Sequence, residues 1–86
     1  MHDTTHVLKH RTVLQIHDKK TGRGFRAFVT EIEHNMSGWD IDRNHRRVWF
    51  RGNAGFTGFM DATVVGRSTY EVWDTRYAVK RVYRHP

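Results

Sequence analysis

Arg47, Trp49 and Arg51 stand two residues apart in Arg47-Val-Trp-Phe-Arg51, so an extended chain turns all three to one side and sends Val48 and Phe50 to the other. An aromatic ring between two guanidinium groups suits stacking on a nucleobase and bidentate pairing with phosphate. Arg43 and Arg46 just before this stripe extend the cationic surface, and Phe56 or Phe59, on the glycine-rich segment after it, supplies a further aromatic. A second basic group gathers at Lys19, Lys20, Arg23 and Arg26, and a third at Arg76, Lys80, Arg81 and Arg84. Three separated groups favour broad phosphate contact over base-specific readout. The plainer account is ordinary sheet chemistry, in which Arg47 pairs with Asp42 across the sheet and Trp49 covers a second small core.

Other side chains point to weaker chemistries. His2, His6 and His10 recur every four residues, but they have no carboxylate at ligand spacing, so no metal site is expected. Asp40, Asp42 and Asp61 are the residue types that hold magnesium in nucleases, yet they also suit strand ends and turns. A metal-independent ribonuclease needs a base, an acid and cations, and His45, Glu71, Arg81 and His85 are available types with no spacing that makes them converge. No catalytic residue and no cofactor are assigned. Tryptophan, tyrosine and arginine also dominate protein interfaces, so a regulator or inhibitor docking an acidic partner surface is the alternative to nucleic acid.

The elements that must position these residues read as short strands. Trp39-Asp-Ile-Asp42 and residues 47–51 form a predicted hairpin across Arg43-Asn-His-Arg46, with Ile41 opposite Val48 and Trp39 opposite Phe50 on the core face, and Asp42 meeting Arg47 on the other. Residues 7–17 read as one long strand whose Leu8, Thr12, Leu14 and Ile16 share a face. After the turn at residues 18–23, Phe25 to His34 returns with Ile16 opposite Phe25, Leu14 opposite Ala27 and Thr12 opposite Val29. The other face of that pair mixes Val13, Phe28 and Ile32 with Lys9, Gln15 and Arg26, a pattern that calls for cover on both sides. Residues 35–38 form a turn, and residues 52–58 hold three glycines in a tight loop. Residues 59–65 and 69–73 are strands joined by a turn at Gly66-Arg67. The last stretch, from Asp74, carries both a helical face (Ala78, Val79, Val82, Tyr83) and a strand-like composition, and the strand is preferred.

The bulk numbers set the frame. Eighty-six residues make one domain, 1–86, with residues 1–5 expected as a disordered tail. The formal charge of +6 favours a polyanionic partner, although a GC-rich genome would also enrich arginine. Cysteine is absent, which removes disulfides and thiol nucleophiles. Neither a leader peptide nor a membrane span is visible, so a cytoplasmic protein, aided at this size by homo-oligomerisation, is the expectation. Six or seven strands with mostly sequential turns predict an all-β fold: a small antiparallel meander, barrel-like or strongly coiled, on the scale of SH3-like and OB-like domains. Gly55-Phe-Thr-Gly-Phe59 resembles the glycine–aromatic strand of cold-shock domains, but the residues around it depart from that pattern and no residue role is carried over.

Overall fold

A computed structural model describes residues 5–34 and 43–83. They form seven antiparallel strands: β1 (Thr5–Val7), β2 (Val13–Asp18), β3 (Arg23–Glu33), β4 (His45–Gly52), β5 (Thr57–Gly66), β6 (Thr69–Val72) and β7 (Tyr77–Tyr83). The strand order is β1-β6-β5-β4-β3-β2-β7. The middle five make a meander, while β1 is added outside β6 and β7 outside β2. The sheet curls until these two edges face each other across a seam, so that single clefts are lined from both sides, and the result is a nearly closed barrel. No helix of the described residues is long and apolar enough to cross a membrane.

The core follows from strand alternation. Leu14 and Ile16 of β2, Ala27 and Val29 of β3, Val48 and Phe50 of β4, and Met60 and Ala62 of β5 all point inward and are buried, with Leu8 joining them from the β1–β2 connection. Phe50 is the largest of these, and small neighbours make room for it. A Cβ on Gly58, its partner on β5, would fall 2.7 Å from the Phe50 ring. Phe25, Phe56 and Tyr77 close the same end of the barrel around Phe50, with ring centroids 5.7, 6.2 and 5.1 Å away.

The first hairpin has the expected register, with Leu14 opposite Ala27 and Ile16 opposite Phe25. Val29 N–H donates to the Thr12 carbonyl at 2.9 Å. The single long strand over residues 7–17 is not observed. Its first part pairs with β6 and its second with β3 and β7, on opposite sides of the sheet, so the chain must break between them. It does so at residues 8–12, where Arg11 takes φ 75° and its N–H joins the bonds to Val29. Thr5, expected in a disordered tail, opens β1 opposite Glu71.

The central hairpin also differs from expectation. Both edges of β4 are occupied: Val48 lies between Ile32 and Met60, and Phe50 between Val29 and Gly58. The positions assigned to Ile41 and Trp39 are therefore held by β3 and β5, whereas Trp39–Asp42 and the turn at 35–38 lie outside the described residues. Val48 and Phe50 nonetheless face the core as the alternation requires. Ile32 also packs against it, because an extra residue at Thr30 shifts the register between Val29 and Glu31 and reverses the faces. The turn between β5 and β6 is Arg67-Ser68, one residue later than expected, and the C-terminal segment is the strand β7 rather than a helix.

One ion pair ties together the loops at the Phe50 end. Arg76 donates from Nε and Nη2 to the two carboxylate oxygens of Asp18 at 3.2 and 3.0 Å, and Lys20 N–H donates to Oδ1 at 2.9 Å. The Arg76 bonds, with help from Lys20 N–H, outweigh burial and hold the Asp18 carboxyl at about 2, below its usual 3.8. A folded value below the unfolded one adds stability that is fully present above the unfolded value and lost as pH falls through the folded one.

Two outcomes follow for stability. Phe50→Ala should lower the unfolding free energy by about 3–5 kcal/mol, seen as a shifted denaturant midpoint, and an unshifted midpoint would mean that the β4 faces are exchanged. In acid, wild-type stability should decline between pH about 4 and about 2. Asp18→Asn should show a shallower decline over that window and lower stability at neutral pH, and parallel pH curves for the two proteins would remove the pair from the acid response.

Candidate nucleic-acid interface

Arg47, Trp49 and the exposed Arg51 do stand together on the outer face of β4. Their neighbours decide what each can do. Arg47 lies between Glu33 and Asp61 across the sheet, with Nε 3.7 Å from Asp61 Oδ1. His45 Nε2 reaches the same oxygen at 3.0 Å. The Arg47 guanidinium lies 4.1 Å from the Phe59 ring centroid, and the Trp49 ring packs on Phe59 at 4.9 Å. Trp49 also donates its Nε1–H to Glu33 at 2.9 Å. Phe59 therefore joins the stripe as expected, but Arg47 and Trp49 are engaged by it and by carboxylates. Arg47 makes a cross-strand ion pair of the kind the plainer account describes, but with Asp61 of β5 rather than the expected Asp42. Asp40 and Asp42 lie outside the described residues.

Most of the remaining candidates lie elsewhere. Phe56 does not join the stripe. It packs T-shaped on Phe25 at 5.0 Å and lies over Gly52 at the end of the barrel, where the tight loop places its partly exposed ring. Arg23 shares a concavity with Phe56 and Arg76 at that end, beside the turn that carries Lys19 and Lys20. Lys19 Nζ donates to the Asp74 carbonyl at 2.8 Å. Arg43 and Arg46 sit at the opposite end of the eight-residue strand β4, roughly 24 Å away, and Arg46 donates to the carbonyls of Arg43 and His45. The acid–base set does not converge either. His45 and Glu71 flank Thr63 in one row, about 10 Å apart, while Arg81 is on β7, His85 being outside the described residues. Among the described residues no three metal-ligating side chains cluster.

A different field of arginines emerges where β7 joins β2. Two outer rows cross the sheet there: Arg81–Gln15–Arg26, and Tyr83–Val13–Phe28–Arg51–Thr57. The guanidinium groups of Arg26 and Arg81 lie 4.6 and 5.0 Å from the Tyr83 ring centroid, on a ring that also reaches Gln15. Phe28 is 39% exposed beside Arg51. Neither row contains a carboxylate; on β3 the next outward one is Glu31, beside Trp49. The cation–aromatic arrangement read into β4 is thus realised more openly across β7, β2, β3 and β4. The apolar residues Val13 and Phe28 on the outer side of the first hairpin were its visible signal. That β7 would add its arginine and tyrosine to that face was not, since this pairing brings together residues far apart in the chain.

Comparison with protein-family models, curated proteins and solved structures finds no match to this chain. One consequence concerns Trp49: if its ring is held by Glu33, Trp49→Phe should keep the packing on Phe59 and lose only the hydrogen bond. A destabilisation of about 1 kcal/mol in denaturant titrations is expected, and none at all would make the Trp49–Glu33 bond incidental.

Proposed function

We propose that this protein is a small, non-enzymatic nucleic-acid-binding domain that contacts its partner through the outer face of β7, β2, β3 and β4. The observation that carries this reading is the pair of rows, free of carboxylates among the described residues, in which Arg26, Arg51 and Arg81 stand beside the aromatic rings of Phe28 and Tyr83. Guanidinium groups with no carboxylate directly opposite them among the described residues remain available for phosphate, and each contact releases counterions from the nucleic acid. Phe28 offers an exposed ring to a base, and Tyr83 offers one already flanked by cations.

The distribution of carboxylates supports the same reading. Asp18 is bound by Arg76, Asp61 by His45 and Arg47, and Glu33 by Trp49. Asp74 accepts the N–H groups of Asp61, Arg76 and Tyr77. Much of the negative charge is thus used inside the protein, while the net charge of +6 is expressed on the surface. Binding of this kind is driven by phosphate and tolerant of sequence.

Mobility-shift titrations on random-sequence oligonucleotides near physiological salt test the proposal. Arg26→Ala, Arg51→Ala and Arg81→Ala should each flatten the dependence of log affinity on log salt by about one, and Phe28→Ala should cost roughly 1–3 kcal/mol at every salt concentration. Arg47→Ala should leave the slope near that of wild type. If Arg47 and Trp49 variants carry the loss instead, the β4 stripe is the interface. Absence of binding, with co-purification of a defined acidic protein, would replace the reading with a protein-docking one. Oligonucleotide should be recovered intact after incubation, with and without magnesium.

A further inference from the structure

We infer that the cleft at one end of the seam between β1 and β7 receives an unpaired base, so that the domain prefers single-stranded to duplex nucleic acid. The inference rests on the proposed function and adds a substrate class to it. The open cleft offers about 620 Å³, within the usual range of roughly 300–1,000 Å³ for small-ligand sites. Val7, Val82 and Tyr83 give it apolar walls, and Val7 is 54% exposed, an uncovered aliphatic surface beside the seam. Among the described residues its charged lining is basic, with Lys9, His10 and Arg11 following one another. An apolar slot with a cationic rim suits a planar base carrying a phosphate.

The rim is built in advance. Thr12 N–H donates to the Lys9 carbonyl at 3.0 Å, Lys9 N–H donates to Thr12 Oγ1 at 2.8 Å, and Arg11 N–H donates to the Val29 carbonyl at 2.7 Å. Leu8 N–H is bound to the Ser68 carbonyl. These bonds hold Arg11 at a positive φ that a non-glycine residue adopts only when its surroundings impose it. The three basic residues are therefore presented by a turn fastened to β3 and to the β5–β6 turn, and little ordering remains to be done on binding.

Tyr83 connects this cleft to the arginine field. Its ring lies between Arg26 and Arg81 on the outer face and also lines the cleft. A strand whose phosphates follow Arg51, Arg26 and Arg81 arrives at Tyr83 beside the seam. Its next base then has the apolar slot within reach, with the phosphate at Lys9 and His10. A base in a duplex must first be unstacked and unpaired before it can enter such a slot, and that cost sets the preference for single strands.

The test uses the full chain, a short random-sequence single strand, and the same strand paired to its complement, followed by fluorescence anisotropy. Wild type should favour the single strand by roughly tenfold or more, the worth of one stacked base. Val7→Trp, which fills the cleft without changing charge, should bring that ratio close to one and leave duplex affinity and salt slope unchanged. As a measurement free of any folding effect, adenosine monophosphate added to wild type should shift the amide resonances of residues 9–12, 82 and 83. Equal wild-type affinity for both forms, an unchanged ratio in a folded Val7→Trp, or no shifts with the nucleotide would each overturn the inference while the proposed function stands. Shifts at the cleft with polyglutamate and none with the nucleotide would assign it to an acidic peptide. Failure of both strands to bind would instead remove the function on which it rests.

Discussion

The apolar face of this sheet has nothing to cover it except the sheet itself. Among the described residues there is no helix to lay over Leu14, Val29, Val48, Phe50 and Met60, so their burial requires the strands to curl around them. Curling is assisted by irregular pairing. An extra residue stands at Thr30 in β3, at Val65 in β5 and at Lys80 in β7, and each increases the local twist and bend. Gly52 and Gly58 remove side chains where the Phe56 and Phe50 rings must lie against the backbone. The aromatic cluster at one end is what such closure brings together from β3, β4, the β4–β5 loop and β7.

Closure also determines which charges remain outside and available. At the Phe50 end, Asp18, Arg76, Lys19 and Asp74 bind the β2–β3 turn to the β6–β7 connection, so two of the described carboxylates serve the fold. On the β4–β5 side, Asp61 and Glu33 engage His45, Arg47 and Trp49. Across β7, β2 and β3 the outer face has no carboxylate in the two rows that hold Arg26, Arg51 and Arg81. Arginines similar in composition and spacing therefore differ in chemistry. Those opposite carboxylates support the sheet, and those opposite glutamine, phenylalanine and threonine are exposed beside aromatic rings.

Local alternation was legible in the chain because it depends only on the two-residue period of an extended backbone. It assigned Val48 and Phe50 to the core, gave the first hairpin its register, and turned Arg47, Trp49 and Arg51 to a common face. Composition and turn residues likewise determined that the fold is all-β and that its middle strands follow one another. The position of β4 was not legible, because a strand has two edges and Trp39–Asp42 was only the nearest apolar stretch. Glu31, Ile32 and Glu33 occupy one edge of β4 instead, made available by a bulge that has no sequence mark of its own.

The same distinction separates the candidate sites. The sequence by itself determined a basic, arginine-rich β domain with aromatic residues interleaved among its cations. Only the tertiary structure decided which cations face carboxylates and which do not, since that depends on strand partners 16 to 68 residues apart, as with Trp49–Glu33 and Tyr83–Gln15. It also decided that β1 and β7 would face each other across a seam and form a cleft there. The physical reason is that side-chain direction is a local property of the backbone, whereas edge pairing is a competition among all strands. That competition is settled by which closed arrangement buries the whole apolar face at once.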